Sequence, residues 1–160
     1  VKQPIILITE IGLEEETVTR LSRVGFDTII GHLDSGFEAW QNAGFEVDSI
    51  NRITAEQFAN EFKIAEDKII DIRKETEYAA EHIEDAYSKP LAYINDWVKD
   101  INPNEHFYLH CAGGYRSMIA ASILQARGFR NFTEIEGGFG AISKTEIPKS
   151  DFVCQSKVLK

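Results

Sequence analysis

The sequence predicts an α/β fold built on a mainly parallel central sheet, and two observations carry that prediction. Short apolar runs such as Ile5-Ile6-Leu7-Ile8, Lys68 to Ile72 and Phe107 to His110 lack the polar alternation of a half-solvated strand, so they read as strands buried on both faces. Between them lie segments with apolar residues at helical spacing, several closed by glycine. Strands that alternate with helices are joined by crossovers, and crossovers make neighbouring strands parallel.

In chain order, Lys2 to Thr9 is the first expected strand. A glutamate-rich stretch leads into a helix over Thr17 to Val24, where Val18, Leu21 and Val24 share a face and Gly25 sits at the C-terminal cap position. Asp27 to His32 follows as a strand and Phe37 to Ala43 as a helix. Thr54 suits an N-cap for a helix to Phe62. Lys68 to Ile72 is a strand, Thr76 to Asp85 runs from helix into loop, and Ala92 to Lys99 is helical up to the break at Asn102-Pro103. After the strand Phe107 to His110 come a glycine-bearing loop, Cys111 to Ser117, and a helix from Met118 to Arg127 closed by Gly128. Phe132 to Glu136 is a strand, Gly137-Gly138 a turn, and Phe139 to Ser143 a short helix.

The order strand–helix–strand–helix thus occurs twice. Arg23-Val24-Gly25-Phe26 matches Ala126-Arg127-Gly128-Phe129 at a separation of 103 residues, and Ser35-Gly36-Phe37-Glu38-Ala39 matches Gly137-Gly138-Phe139-Gly140-Ala141 at 102. This points to an internal duplication in which residues 1–50 are the C-terminal half of one unit, 51–150 a complete unit, and 151–160 a tail. The seam is expected at Asp48 to Arg52. A chain that opens on Val1, with half a unit, is expected to derive from a longer one.

Composition narrows the function. With 43% hydrophobic and 27% charged residues, the 160-residue chain has globular proportions. No run approaches the ~18 apolar residues of a membrane span. The net charge of −9 disfavours nucleic acid and anionic membrane as partners. Two cysteines, Cys111 and Cys154, are too few for a disulfide framework, which favours a reducing, cytoplasmic setting. The four histidines show no metal-ligand spacing, so neither metal nor other cofactor is expected.

The chemistry is expected in Cys111-Ala112-Gly113-Gly114-Tyr115-Arg116-Ser117, at the carboxyl end of a buried strand, where open parallel sheets bind ligands. The glycines let backbone N–H groups turn inward, and the following helix adds its unsatisfied donors and positive dipole end. A cysteine in such a nest is expected to ionise readily, with Arg116 adding fixed charge. That suits a thiolate that accepts sulfur, becomes a persulfide and passes the outer sulfur on.

At these residues the sequence resembles the rhodanese superfamily of sulfurtransferases, over roughly Ile53 to Pro148. The matching pieces also include Asp71-Ile72-Arg73, Glu77-Tyr78, His82-Ile83, Ala86 and Glu136-Gly137-Gly138-Phe139. The resemblance implies a three-layer fold, a central parallel sheet flanked by helices. It implies that Cys111 is the persulfide-forming nucleophile and Ala112, Gly113, Gly114, Tyr115, Arg116 and Ser117 the substrate-binding loop. Four residues separate Cys111 from Arg116, as in sulfurtransferases of the superfamily, whereas its phosphatases have five. The implied reaction moves sulfane sulfur from a donor, thiosulfate or glutathione persulfide, to a thiophilic acceptor. A degenerate copy before an intact one also resembles the tail of bacterial fusions with an upstream metallo-β-lactamase-fold hydrolase. A sulfur-carrier or docking role beside such a domain is therefore the alternative.

In the first copy Thr9 falls at the cysteine position and Glu14-Glu15-Glu16 replaces the arginine region, so that copy is expected to be inactive. Residues 1–50 hold 3 positive and 9 negative side chains, net −6 of the chain's −9. Asp71 and Arg73, with His82, are expected to support neighbouring loops. His110 should point away from its neighbour Cys111, since adjacent strand residues face opposite ways. Tyr115 is expected to line the mouth of the loop, and Trp40 and Trp97 to act as core or interface anchors. Cys154 is either an exposed thiol or a resolving partner for Cys111. A half-unit with an open sheet edge is one route to pairing between chains.

Overall fold

The computed structural model describes residues 3–63 and 66–154. Lys2 of the first expected strand and residues 155–160 of the expected tail lie outside the described residues. The chain divides into two compact units, Val1–Ser49 and Ile50–Lys160.

In the first unit, β1 (Ile5–Leu7) pairs in parallel with β2 (Ile29–His32), and α1 (Glu14–Ser22) and α2 (Gly36–Asn42) follow the two strands. α1 begins three residues earlier than its apolar spacing predicts. Glu14, Glu15 and Glu16 form its first turn, where carboxylates face the positive end of the helix dipole. The expectation of a strand buried on both faces fails here: in β1 only Leu7 is buried, while Ile6 is 65% exposed, and α1 buries no residue. Among the described residues this sheet has two strands, β1 and β2.

The second unit is a five-stranded, all-parallel sheet in the order β3-β7-β6-β4-β5. Its strands are β3 (Arg52–Ile53), β4 (Lys68–Asp71), β5 (Tyr87–Ser88), β6 (Phe107–His110) and β7 (Phe132–Ile135). The helices are α3 (Ala55–Glu61), α4 (Glu75–Ala80), α5 (Ile94–Trp97), α6 (Tyr115–Ala126) and α7 (Gly138–Ile142). The expected helix over Ala92 to Lys99 is broken up: α5 is one turn between two 3-10 turns, Leu91–Tyr93 and Val98–Asp100. Every residue of central β6 is buried, and its side chains divide by the strand period. Phe107 and Leu109 pack with Trp97 of α5 and Leu124 of α6, whereas Tyr108 packs with Phe58 of α3 and Ile142 of α7. Those two cores make three layers of helix, sheet and helix.

Local chemistry accounts for the ends. Thr54 accepts from the Gln57 N–H at 3.1 Å while Gln57 Oε1 accepts from the Thr54 N–H at 2.9 Å, a complete capping box. Both Gly-Phe pairs that marked the sequence repeat stop helices in the same way. Gly25 (φ +86°) and Gly128 (φ +88°) are left-handed, and the Phe26 and Phe129 N–H groups each donate back to a leucine carbonyl, Leu21 and Leu124, at 3.0 Å.

Candidate functional site

The site is built where β6 ends. The described helix α6 begins at Tyr115, so the predicted loop is shorter than Cys111 to Ser117, and Tyr115, Arg116 and Ser117 form the first helical turn. Left-handed Gly114 (φ +96°) makes the turn that lets the helix start so close to the strand. Its N–H donates to Cys111 Sγ at 3.2 Å, and Ser117 Oγ lies 3.5 Å from the same sulfur. Burial pushes the Cys111 thiol up. The contacts of the ionised sulfur with the Ser117 hydroxyl and the N–H groups of Ser117, Gly113 and Gly114 outweigh that, and hold it below the ordinary thiol value.

The other wall is α7. Its Phe139 N–H donates to the Cys111 carbonyl at 2.7 Å and its Gly140 N–H to the Ala112 carbonyl at 2.9 Å. So close an approach needs Gly138 without a Cβ, since that atom would stand within 2.9 Å of the carbonyl carbons of both Cys111 and Ala112. In the first unit a Cβ on Gly36 would stand 2.8 Å from the Thr9 carbonyl oxygen, at the aligned positions.

The Arg116 guanidinium grips Glu77 of α4 with two parallel hydrogen bonds, 2.7 and 2.8 Å, while its charge also interacts with that of Cys111. The Arg116 fork pulls the Glu77 carboxyl down to about 2. A carboxyl held below its unfolded value of ~4.3 stabilises the fold fully above about pH 4.5, and the contribution fades as pH falls toward 2. Urea midpoints should therefore show Glu77→Gln less stable than the parent at neutral pH by about 1 kcal/mol, the scale for a partly exposed pair. The difference should vanish near pH 2. A gap that persists there would show that the two side chains interact by something other than charge.

Asp71 and Arg73 form one buried cluster. Asp71 accepts from the Arg73 backbone N–H at 2.9 Å and from its guanidinium at 2.6 Å. That guanidinium also donates to the Glu81 carbonyl at 2.7 Å and lies 4.0 Å over the Phe139 ring, on the helix that closes the Cys111 loop. His110 is fully buried, its Nδ1 3.2 Å from the Cys111 carbonyl oxygen and its ring stacked toward Phe139, so it faces away from the sulfur. Burial pushes its pKa down, which keeps it neutral. His82 stacks on Tyr78 and bridges toward Ser150. Tyr115 is 81% exposed at the mouth. Trp97 is buried, whereas Trp40 is partly exposed, and Cys154 is exposed.

One residue was missed by sequence reasoning. Glu134 of β7 is completely buried, with Oε1 2.6 Å from Ser117 Oγ and Oε2 2.8 Å from Arg52 Nε. A carboxylate inside a short strand, between Thr133 and Ile135, was the available signal. Among the described residues, no group of three His, Cys, Asp or Glu side chains is placed to hold a metal ion, and no helix is long and apolar enough to cross a membrane.

Comparison with known proteins matches this architecture. Residues 54–145 fit the family model of the rhodanese-like domain. The chain belongs to the rhodanese-like family. The crystal structure of a rhodanese-like domain protein from Staphylococcus aureus superimposes with a TM-score of 0.56 at 30% identity, covering 66% of this chain and all of that one. The "Putative sulfur carrier protein YrkF" of Bacillus subtilis is 27% identical over 99 residues, 61% of this chain and 54% of the relative. The chloroplastic "Rhodanese-like/PpiC domain-containing protein 12" of Arabidopsis thaliana is 33% identical over 82 residues, 49% of this chain and 27% of that protein. The chain thus spans about half the length of the first of these two relatives and about a quarter of the second.

Proposed function

We propose that the chain is a sulfurtransferase that moves sulfane sulfur from a small donor, thiosulfate or glutathione persulfide, to a thiophilic acceptor through a persulfide on Cys111. The single observation that carries this reading is the environment of the sulfur: a buried cysteine whose thiol is lowered by hydrogen bonds in a tight strand–helix turn. The Cys111 thiolate attacks the outer sulfur of the donor. A new S–S bond forms, the donor's bond to that sulfur breaks, and sulfite or a thiolate leaves with the electron pair. The N–H groups of the Ala112 to Ser117 segment hold the terminal sulfur anion. A nucleophilic acceptor then takes the outer sulfur and leaves Cys111 as the thiolate. With Arg116 paired to Glu77, the backbone supplies most of the anion-binding capacity.

In this reading residues 51–150 do the chemistry and residues 1–50 are half of a degenerate, inactive copy. The matched geometry of Gly36 against Thr9 and Gly138 against Cys111 supports that division. A reducing cytoplasm suits a working thiol.

A sulfur-carrier role is the second reading, supported by the name of the Bacillus relative and by the partial span of the match. Here Cys111 hands sulfur to or from another domain, which we propose to be a metallo-β-lactamase-fold hydrolase in the same parent chain, and pairing between copies is compatible with it. Transfer rates measured with and without the remainder of a longer chain separate the two readings.

The decisive experiment is intact-mass measurement after exposure to thiosulfate or glutathione persulfide. The parent should gain about 32 Da, one sulfur atom, and Cys111→Ala nothing. An adduct retained by Cys111→Ala, or sulfur transfer to cyanide at the parental rate, rules out Cys111 as the nucleophile.

A further inference from the structure

Glu134 has no part in the mechanism so far, yet it stands directly behind the nucleophile. Ser117 Oγ lies 2.6 Å from Glu134 Oε1, 2.9 Å from the Gly114 carbonyl oxygen and 3.5 Å from Cys111 Sγ. A serine hydroxyl has one proton to give. The carboxylate is the strongest acceptor of the three and makes the shortest contact, so the proton points at Glu134. With the thiol protonated, Ser117 thus offers the sulfur a lone pair; its donation to the thiolate, which lowers the thiol, requires that Glu134 no longer accept that proton.

We propose that Cys111 and Glu134 share one proton through the Ser117 hydroxyl, making Glu134 a positioning residue that sets when the nucleophile ionises. The proposal rests on the reading of Cys111 as that nucleophile. In the resting state the thiol S–H donates to Ser117 Oγ, and Ser117 O–H donates to the carboxylate. In the active state the S–H bond has broken and its electron pair stays on sulfur. That proton has formed a new O–H bond on Ser117, and the former hydroxyl proton sits on Glu134. Every hydrogen bond of the chain is then reversed: Glu134 donates to Ser117, and Ser117 donates to the thiolate. One negative charge has moved from carboxylate to sulfur, with no co-reactant. When the acceptor has taken the sulfur, the proton can return by the same route.

The charged groups around this pair are themselves paired. Arg52 of β3 faces the carboxylate from the far side and also reaches Glu136, 3.3 Å away. Arg116 at the loop mouth is bound to Glu77 of α4. On the adjoining strands Asp71 is bound to Arg73, and His110 is neutral.

Arg52 also makes the idea testable. Its Nε–H must meet an oxygen, so in Glu134→Gln the amide oxygen turns to Arg52 and the NH2 group to Ser117. The amide then donates to Ser117 Oγ and releases the hydroxyl proton toward the sulfur. The readout is the pH dependence of Cys111 alkylation by iodoacetamide, followed on the Cys111 peptide so that Cys154 does not contribute. Glu134→Gln should lower the midpoint by about one pH unit, a tenfold change in thiol ionisation. Ser117→Ala should raise it, and the double variant should match Ser117→Ala alone, because the effect travels through the hydroxyl. Should Glu134→Gln fail to fold, Arg52→Met tests the same link: without the arginine beside it the carboxylate takes the shared proton more readily, so the midpoint should fall. An unmoved or raised midpoint in Glu134→Gln, additive shifts in the double variant, or a raised or unmoved midpoint in Arg52→Met overturns the proposal. Alkylation requires no sulfur donor, so it fails or succeeds independently of the persulfide experiment.

Discussion

Gly138→Ala should dismantle the nucleophile loop, whereas Gly113→Ala, in the loop itself, should leave it standing. The difference lies in what an added methyl meets. At Gly113 there is nothing within 4 Å and no left-handed backbone to strain, so alanine is expected to change stability by no more than about 0.5 kcal/mol. At Gly138 the backbone is left-handed (φ +54°), which costs a non-glycine residue ~1–2 kcal/mol before any contact is considered. The methyl would then overlap the Cys111 carbonyl oxygen, which is backbone and has no rotamer to escape into. Relief requires α7 to move away, and with it the Phe139 and Gly140 N–H groups that hold the Cys111 and Ala112 carbonyls. The carbonyls of buried Cys111 and half-buried Ala112 would lose these donors, at up to ~1–3 kcal/mol each. The urea midpoint of Gly138→Ala should fall accordingly, and the alkylation midpoint of Cys111 should rise toward that of an ordinary thiol. A stable Gly138→Ala that alkylates like the parent would show that the loop does not depend on this wall.

Asp71→Ala is expected to cost about 3–5 kcal/mol, the scale for breaking one side of a buried ion pair. Asp71 and Arg73 are both buried, and the carboxylate takes the guanidinium at two nitrogens as well as the Arg73 backbone N–H. Without it the guanidinium keeps the Glu81 carbonyl, the face of Phe139 and a longer-range attraction to Glu77. Against a typical total of 5–15 kcal/mol, such a loss leaves a marginal protein. Arg73→Met in the Asp71→Ala background removes the orphaned charge and should recover part of the loss in thermal or urea unfolding. If Asp71→Ala alone changes stability by less than about 1 kcal/mol, the pair is not the strut described here. Placement of the Cys111 loop depends on this strut indirectly, through Phe139.

Much of the second unit was legible because its signals are local. The β6 run shows no polar alternation, Thr54 carries its own capping partner three residues on, and Gly128 marks a helix end that a left-handed residue closes. The first unit shows where such signals stop. The run Ile5 to Ile8 has the composition of a doubly covered strand, but composition does not say whether anything is present to cover it, and Ile6 and Ile30 remain exposed. Helix starts were displaced for a related reason. The apolar stripe begins later than the helix when the first turn is acidic, as in α1, or when it carries the functional residues, as in α6.

By itself, the sequence determined the order of strands and helices, the repeat of the Gly-Phe helix stops, and a cysteine-glycine loop at the end of a buried strand. These depend on neighbours within a few residues, whose backbone preferences and periodicity act before any packing. Tertiary structure alone decided what that loop is worth chemically. Arg116 meets Glu77 across 39 residues, Ser117 meets Glu134 across 17, and Arg52 reaches the same carboxylate across 82. These pairs exist because the parallel order β3-β7-β6-β4 brings the strand ends together. The pairing of the arginine and the acceptors within reach of the serine hydroxyl are therefore properties of the assembled sheet, and no spacing along the chain encodes them.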